Sequence, residues 1–396
     1  MFAKVISKLD DIDKNAWDAL VDPSDIQMSY NYMKSIEDSV INDYRNYYIL
    51  VYASDAELVA AMPVFITDSF YLDTPLVGTT KNLCSIIRNY LPCFLKQRVL
   101  FCGCCISEYN KINMKKDIDL RNMVALILKE IEDIAKREKI KLIMFKDFIH
   151  YTEDFHSAME EHSYFKVYSL PGTYIDLYWN SFEEYVQNLK IRYRQNIRNK
   201  INQYKKQGGI EFEIVKEIQD IVDDIYVLYE NTFNKAPVKF EKLKKDFFIN
   251  IKRNLGDSAR VIIARYGEKI VGFSLIICSQ DVCINVRTGL DYEYASKYHL
   301  YFILHYKNIE YAIQNGIKRL YLSQTSYRPK LEMGSKLVPL LLYSKHRNPL
   351  MNKVYKILFE KLFDKYDKLS NSTDPHEDLK TLFSNYFSGK AGNKSA

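Results

Sequence analysis

One order of segments is written twice in this chain, and it restricts the fold more than any single motif. In the first half, YYILVYA (47–53) and LVAAMPVFI (58–66), parted by the polar SDAE, read as a hairpin, and RVLFCGCCI (98–106) reads as a third strand. From Asp119 to Glu138, Leu120, Val124, Ile127, Leu128, Ile131, Ile134 and Ala135 recur at helical spacing, and LIMFKDF (142–148) returns as a strand. In the second half, ARVIIARYGEKIVGFSLIICSQDVCINVRTGL (259–290) gives three strands with turns at Gly267 and near Gln280. LYFILHYKNIEYAIQNG (300–316) gives a helix closed by Gly316, and KRLYLSQ (318–324) gives the strand after it. Hairpin strands, helix and strand in both halves predict a duplicated mixed α/β unit, with two α/β domains of unlike topology as the alternative. At 396 residues, 47% apolar and 27% charged, the chain is long enough for two such domains.

Between the halves lies the densest charge in the sequence. KIRYRQNIRNKINQYKKQ (190–207) carries Lys190, Arg192, Arg194, Arg198, Lys200, Lys205 and Lys206 with no acidic residue among them. Lys190, Arg194 and Arg198 fall on one helical face, and Ile197, Ile201 and Tyr204 form a narrow apolar seam. Such a helix docks on a core and still presents a cationic ridge to a polyanion; a solvated helix face is the plainer reading. Net charge is only +6, so the basicity is local. Ahead of the run, Asn180 or Ser181 caps a helix that starts FEEY, and beyond Pro349 VYKILFEKLFDKY reads as a last amphipathic helix. Residues 369–396 read as a polar, disordered tail.

Asp10, Asp11 and Asp13 stand where a signal peptide needs an apolar run, and no uninterrupted apolar stretch reaches the roughly 18 residues of a membrane span, so a cytoplasmic protein is expected. Cys102 and Cys105 form a CxxC, but no second pair or histidine follows at zinc spacing; reduced thiols, buried in a strand, are expected for the seven cysteines, and no metal. Trp17 and Trp179 read as packing residues. No Ser-His-Asp signature, HExxH, P-loop or Rossmann fingerprint occurs.

Taken in order, these segments resemble a known superfamily. ARYGEKIVGFSLII followed by RTGLDYEYASKYHLYFILHYKNIEYAIQNGIKRLYLSQ is similar to the central strands, donor-loop region and following helix of GNAT acyltransferases. SFEEYVQNLKIRYRQNIRNKINQYKKQGGIEFEIV resembles the entry to the second domain of tandem GNAT-like proteins. Those include the Fem peptidyltransferases and the bacterial peptidoglycan biosynthesis or recognition proteins. From about Trp17 to His346 the resemblance is to the latter group, carried also by WDALVDPSDIQMSYNYMKSIEDS, YENTFNK (229–235) and the helix ending IEYAIQNGIKRLYL. It implies two GNAT-like domains, each a mixed, mostly antiparallel sheet flanked by helices: residues 1–170, then 171–368 with the basic entry helix, the active cleft and the last helix.

The resemblance implies an N-acyltransferase that moves an acyl or aminoacyl group from a phosphate-bearing donor, aminoacyl-tRNA or acyl-CoA, onto an amine of a small molecule or cell-wall precursor. No resident cofactor is implied, and the oligomeric state is left open. A GNAT-like protein without activity, binding a cell-wall precursor, tRNA or anionic lipid, is the other reading. Acyl-CoA enzymes cradle pyrophosphate in a glycine loop at a helix start, whereas LDYEYASKYHL has no glycine between Asp291 and Leu300. SQTSYRPKLEMGSK (323–336), read as a loop after the closing strand, holds Lys330 and Gly334, which match site-lining residues in tandem GNAT-like proteins, and Gln324, Tyr327 and Arg328 to orient an acyl or carboxylate group. His299 or His305 is a candidate base and Asp291 or Glu293 a proton acceptor, each with a structural role as the alternative. Arg287 and Thr288 end a cleft-facing strand, Arg287 as an anion ligand or half of an ion pair. Lys190, Arg192, Arg194 and Arg198 are the expected donor-binding cations.

Overall fold

The computed structural model describes residues 1–39, 41–54, 57–74, 79–149, 151–236 and 238–370; of the tail expected over 369–396, the first two residues belong to the last helix and the rest lies outside the described residues. The first strands are β1 (Phe2–Ile6), β2 (Arg45–Tyr52), β3 (Leu58–Tyr71), β4 (Lys96–Cys102) and β5 (Asn113–Met114). Then come β6 (Leu142–Ile149), β7 (Phe165–Tyr168), β8 (Gly172–Asp176), β9 (Ile210–Val215) and β10 (Ala259–Tyr266). The last are β11 (Lys269–Cys278), β12 (Val282–Leu290), β13 (Arg319–Tyr321), β14 (Lys336–Val338) and β15 (Leu340–His346).

They build two sheets, ordered β1-β2-β3-β4-β6-β15-β7, with β5 on β3, and β9-β10-β11-β12-β13-β8-β14. Position by position the two match. Four antiparallel strands are followed by a parallel pairing, β4 with β6 and β12 with β13, and then by two antiparallel ones. The sixth place is exchanged. In the first sheet it is filled by β15 from the end of the second half, and in the second by β8, which directly follows the first half. The chain thus crosses between sheets at 169–171 and returns at residue 339. At the first crossing a Cβ on Gly172 would meet the Tyr109 ring at 2.6 Å, so only glycine lets the backbone pass that close.

This exchange corrects the expected placement of the last helix on the second unit. Pro349–Ser370 packs on β7 and β15 of the first sheet, because Tyr355, Phe359, Phe363 and Tyr366 recur on one face and are buried there, Phe359 with its ring 5.7 Å from Phe165. The helix Leu120–Arg137 covers the first sheet with Met123, Val124, Ile127, Leu128, Ile131 and Ile134. Leu300–Gln314 covers the second on β10, β11 and β12. Between the sheets one core is shared by both halves, and the helix Tyr30–Glu37 meets Lys245–Leu255 there, with the Ser35 hydroxyl donating to the Asn250 carbonyl at 3.2 Å.

The thiols also depart from expectation. Cys278 and Cys283 face each other across the β11–β12 hairpin and form a disulfide, whereas Cys102, Cys104 and Cys105 are free and buried. No described helix is long and apolar enough to cross a membrane.

A chain ended after Val338 loses the buried Leu340, Leu341, Leu342 and Tyr343. At roughly 1.5–3 kcal/mol per side chain this approaches the whole stability of an ordinary domain. We expect hydrogen exchange of β6 and β7 amides in such a chain to lose its protection; unchanged protection would show that β15 is dispensable to the first sheet.

Candidate active site

Two breaks in regular strand pairing aim charge into the seam between the sheets. In β6, Lys146 and Asp147 together oppose Leu342, as the register steps from Leu341↔Phe148 to Tyr343↔Phe145, and Asp147 takes a φ of 51°. In β12, Val286 is the extra residue, where the register steps from Leu275↔Arg287 to Ile276↔Asn285. Bulges of this kind re-aim side chains and end pairing. β13 accompanies β12 only as far as Ile284, so Asn285, Arg287 and Thr288 line a space where the parallel pair has splayed.

The backbone leaving β13 is strained there. Ser323, Thr325 and Ser326 have φ of 64°, 60° and 47°, left-handed values that cost roughly 1–3 kcal/mol each in a residue with a side chain. Four hydrogen bonds hold the loop: the hydroxyls of Thr173 to the Ser323 carbonyl (2.6 Å) and of Ser323 to the Asn285 carbonyl (2.7 Å), the Gln324 N–H to the Glu108 carboxylate (2.8 Å), and the Gln324 amide to the Leu170 carbonyl (2.8 Å). Next comes a short helix, Tyr327–Glu332, which buries Lys330; its Nζ donates to the carbonyls of Ser323 at 3.0 Å and Gln324 at 2.7 Å.

Two adjoining chambers open around these groups. The polar one, about 260 Å³, is walled by Tyr229, Asn285, Arg287, His305, Ser323 and Lys330. The apolar one, about 110 Å³, is walled by Phe70, Phe101, Ile106, Met144, Phe359 and Phe363. Glu108, Val238, Phe240, Glu241 and Gln324 belong to both walls. Glu241 pairs with Arg287, and Lys146 with Asp147 at 2.7 Å, while Lys146 also donates to the Ser107 carbonyl at 2.8 Å.

Burial governs how these groups titrate. It pulls the Lys330 ammonium down to about 7, against the pull of Glu108. It lowers His305 to about 3, aided by the charge of Lys330, so the imidazole is neutral at ordinary pH. The carboxyls of Glu108 and Glu241 are pushed up by burial, partly offset by Lys330 and Arg287 at Glu108 and by Arg287 and Lys146 at Glu241. Burial also opposes the charge of Lys146, but Asp147 and Glu241 outweigh it and its pKa is raised.

The model of the FemAB-like family, described as peptidoglycan biosynthesis/recognition, matches residues 8–323. The chain belongs to the FemAB-like family. Its fold is shared with the crystal structure of FemX (TM-score 0.53, 11% identity, covering 89% of this chain and 99% of that one). It is shared also with a tandem GNAT protein from the clavulanic acid biosynthesis pathway (TM-score 0.50, 8% identity, 88% and 99%). The two sheets are therefore GNAT-like units in tandem. A Mycobacterium tuberculosis H37Rv protein provisionally named 8-amino-7-oxononanoate synthase 2 is 22% identical over 330 residues, 81% of this chain, which spans only 42% of that protein.

Of the residues singled out in this FemAB-like sequence, Gln324, Lys330, Arg287, Thr288 and His305 line the polar chamber. Segment 323–336, read as a loop, instead contains the helix of Lys330 and ends on the first residue of strand β14. Tyr327 sits in the core with its hydroxyl donating to the Pro171 carbonyl at 3.0 Å, so it carries packing that a surface loop residue would not. Asp291 caps the helix Tyr292–Tyr298 and pairs with Lys269 at 2.8 Å, and the His299 ring meets Gln203 at 2.5 Å; neither lines either chamber. Glu293 is exposed.

The basic helix, Ile191–Gln207, packs Ile197, Ile201 and Tyr204 inward as its spacing predicts. Its charges are less free than the run suggests: Arg198 pairs with Glu183 at 2.5 Å and Arg194 donates to the Gln187 carbonyl at 3.0 Å. With Arg192 and Lys200 it walls a surface depression against Arg328 and Glu332, on the outer side of the short helix whose inner side holds Lys330. Lys190 stands at its N-cap position without a side-chain capping bond. Glu108, Lys146, Asp147 and Glu241 were not among the sequence candidates. The pair KD inside the apolar run LIMFKDF was the one local signal that could have found any of them.

Lys330 titrates near 7 when folded and near 10.5 otherwise, so between those values the unfolded chain binds the extra proton. Stability should therefore rise with pH through that window, by up to about 1.4 kcal/mol per pH unit. Denaturant unfolding from pH 6 to 10 should show this rise in the wild type and not in Lys330→Met; parallel curves would place the ammonium in an ordinary environment.

Proposed function

We propose that this protein is an N-acyltransferase in which Lys330 carries the proton between acceptor amine and leaving group. The supporting observation is a lysine titrating near neutrality in a chamber between two GNAT-like units. A neutral lysine has two N–H donors, matching the carbonyls of Ser323 and Gln324, and one lone pair left to accept a proton. The amine attacks the donor carbonyl, the C–N bond forms, and its proton passes to Lys330. As the carbonyl re-forms, the C–O or C–S bond breaks and that proton returns to the leaving group.

Aminoacyl-tRNA is the donor this reading favours over acyl-CoA, met in the cytoplasm and used on a peptidoglycan or related precursor. The junction where an acyl-CoA enzyme needs free N–H groups is instead coiled into the helix Tyr292–Tyr298, its start capped by Asp291. Arg192, Arg194 and Arg198 offer phosphate contacts on the outer side of the short helix that holds Lys330. The same junction also suits a binding protein without turnover, which would retain ligand and form no product.

Mass spectrometry of co-purified ligands, followed by turnover with charged tRNA or acyl-CoA, tests the donor. Lys330→Met should lower kcat roughly a hundredfold without loss of fold. Near-normal kcat in the folded variant would remove Lys330 from the chemistry. Replacing Arg192, Arg194 and Arg198 by alanine should weaken tRNA binding and flatten its log-log salt dependence by about one per lost phosphate contact. Unchanged affinity and slope would rule out the helix as a tRNA contact.

A further inference from the structure

The apolar chamber has no part in the transfer chemistry just described, yet it opens onto it. Phe359 and Phe363 of the last helix, Phe70 and Phe101 of the first sheet, and Ile106 and Met144 surround about 110 Å³, comparable with the roughly 150 Å³ cavity that holds a benzene ring in another protein. Its polar lining includes Glu108, Glu241 and Gln324, shared with the polar chamber, together with Lys146, Asp147 and Ser169 on its own side. Lys146 is engaged by Asp147, and Arg287 by Glu241. Lys239 is exposed at the rim of the polar chamber. Glu108 accepts the Gln324 N–H and has no ion pair among the described residues, although Lys330, Arg287 and Lys146 all act on it from farther off. A carboxyl is thus left at the junction of an apolar and a polar chamber, within reach of whatever enters either.

We propose that the acceptor is an amphipathic primary amine, its nitrogen held at Glu108 and its alkyl or aryl tail filling the chamber beneath Phe359 and Phe363. This rests on the acyl-transfer reading and adds the acceptor's class. A carboxylate in the place of the amine would meet Glu108, which has no ion pair of its own among the described residues, and be repelled, whereas an ammonium is attracted and, beside Lys330, has a base to release its proton to.

Calorimetric titration of the full chain with n-alkylamines from butyl to dodecyl, and with alkanols and alkanoates of equal length, tests this without any donor. Amine affinity should rise about fourfold per methylene until the chamber is full and then level off. Glu108→Gln should erase the preference for amine over alkanol and leave the rise per methylene intact. Phe363→Trp should level the series at a shorter chain, and Phe363→Leu, which spares the fold, at a longer one. Affinity independent of chain length, or alkanoates binding as well as amines, overturns the inference. Amines that bind as described but are never acylated sink the transferase reading alone, and acylation of amines with no dependence on tail length sinks this inference alone.

Discussion

Charge taken out of water governs this structure. Glu108, Lys146, Asp147, Glu241, Arg287 and Lys330 gather in one seam, and each ion so placed costs several kcal/mol unless it is paired or neutral. The protein uses both remedies. Two cation–carboxyl pairs, Lys146 with Asp147 and Glu241 with Arg287, lie there in contact, and burial pulls the Lys330 ammonium down towards neutrality. These residues come from β6, β12, the stretches around 108 and 241, and the short helix at 327, so their mutual positions are fixed only when both units are docked. An apolar filling would stabilise such a seam at least as well, and the retention of charge there is an argument for chemistry.

The site then follows from how two regular sheets are interrupted. A bulge in β6 and another in β12 turn side chains toward one another, the parallel pairs run out, and the chain leaves β13 through a left-handed turn anchored by a hydroxyl, a carboxylate and two backbone carbonyls. Strain of that kind persists only where its surroundings over-determine it. Here the anchors are Thr173, Asn285, Glu108 and Leu170, two contributed by each side of the seam.

Periodicity made the regular parts legible. β2, β3, β6, the three strands of 259–290 and both long helices stand within a few residues of their expected ends, because each buries a face that local spacing reveals. What failed was non-local. The run 318–324 pairs only over Arg319–Tyr321, since the left-handed turn at Ser323 pulls the chain away. His299 and Asp291 stand near the start of the helix Leu300–Gln314 in sequence, but neither lines the chambers, Asp291 being taken up in capping Tyr292–Tyr298. Glu108 and Glu241 have no local pattern at all; only the meeting of two units makes a cavity of their surroundings. Nor could spacing reveal the strand exchange, because a short apolar strand such as LLLYSKH suits either sheet equally well.

That exchange bears on how the chain is made. Domains ordinarily fold from the amino terminus while the ribosome is still adding residues. Here the first sheet lacks its sixth strand until Leu340–His346 has been synthesised, and meanwhile β6 and β7 present unpaired edges. β8, by contrast, is already available when its own neighbours β13 and β14 appear. The unit translated first is thus the last to close, and through most of its synthesis the nascent protein carries an open sheet edge of the kind that chaperones shield and neighbouring chains capture.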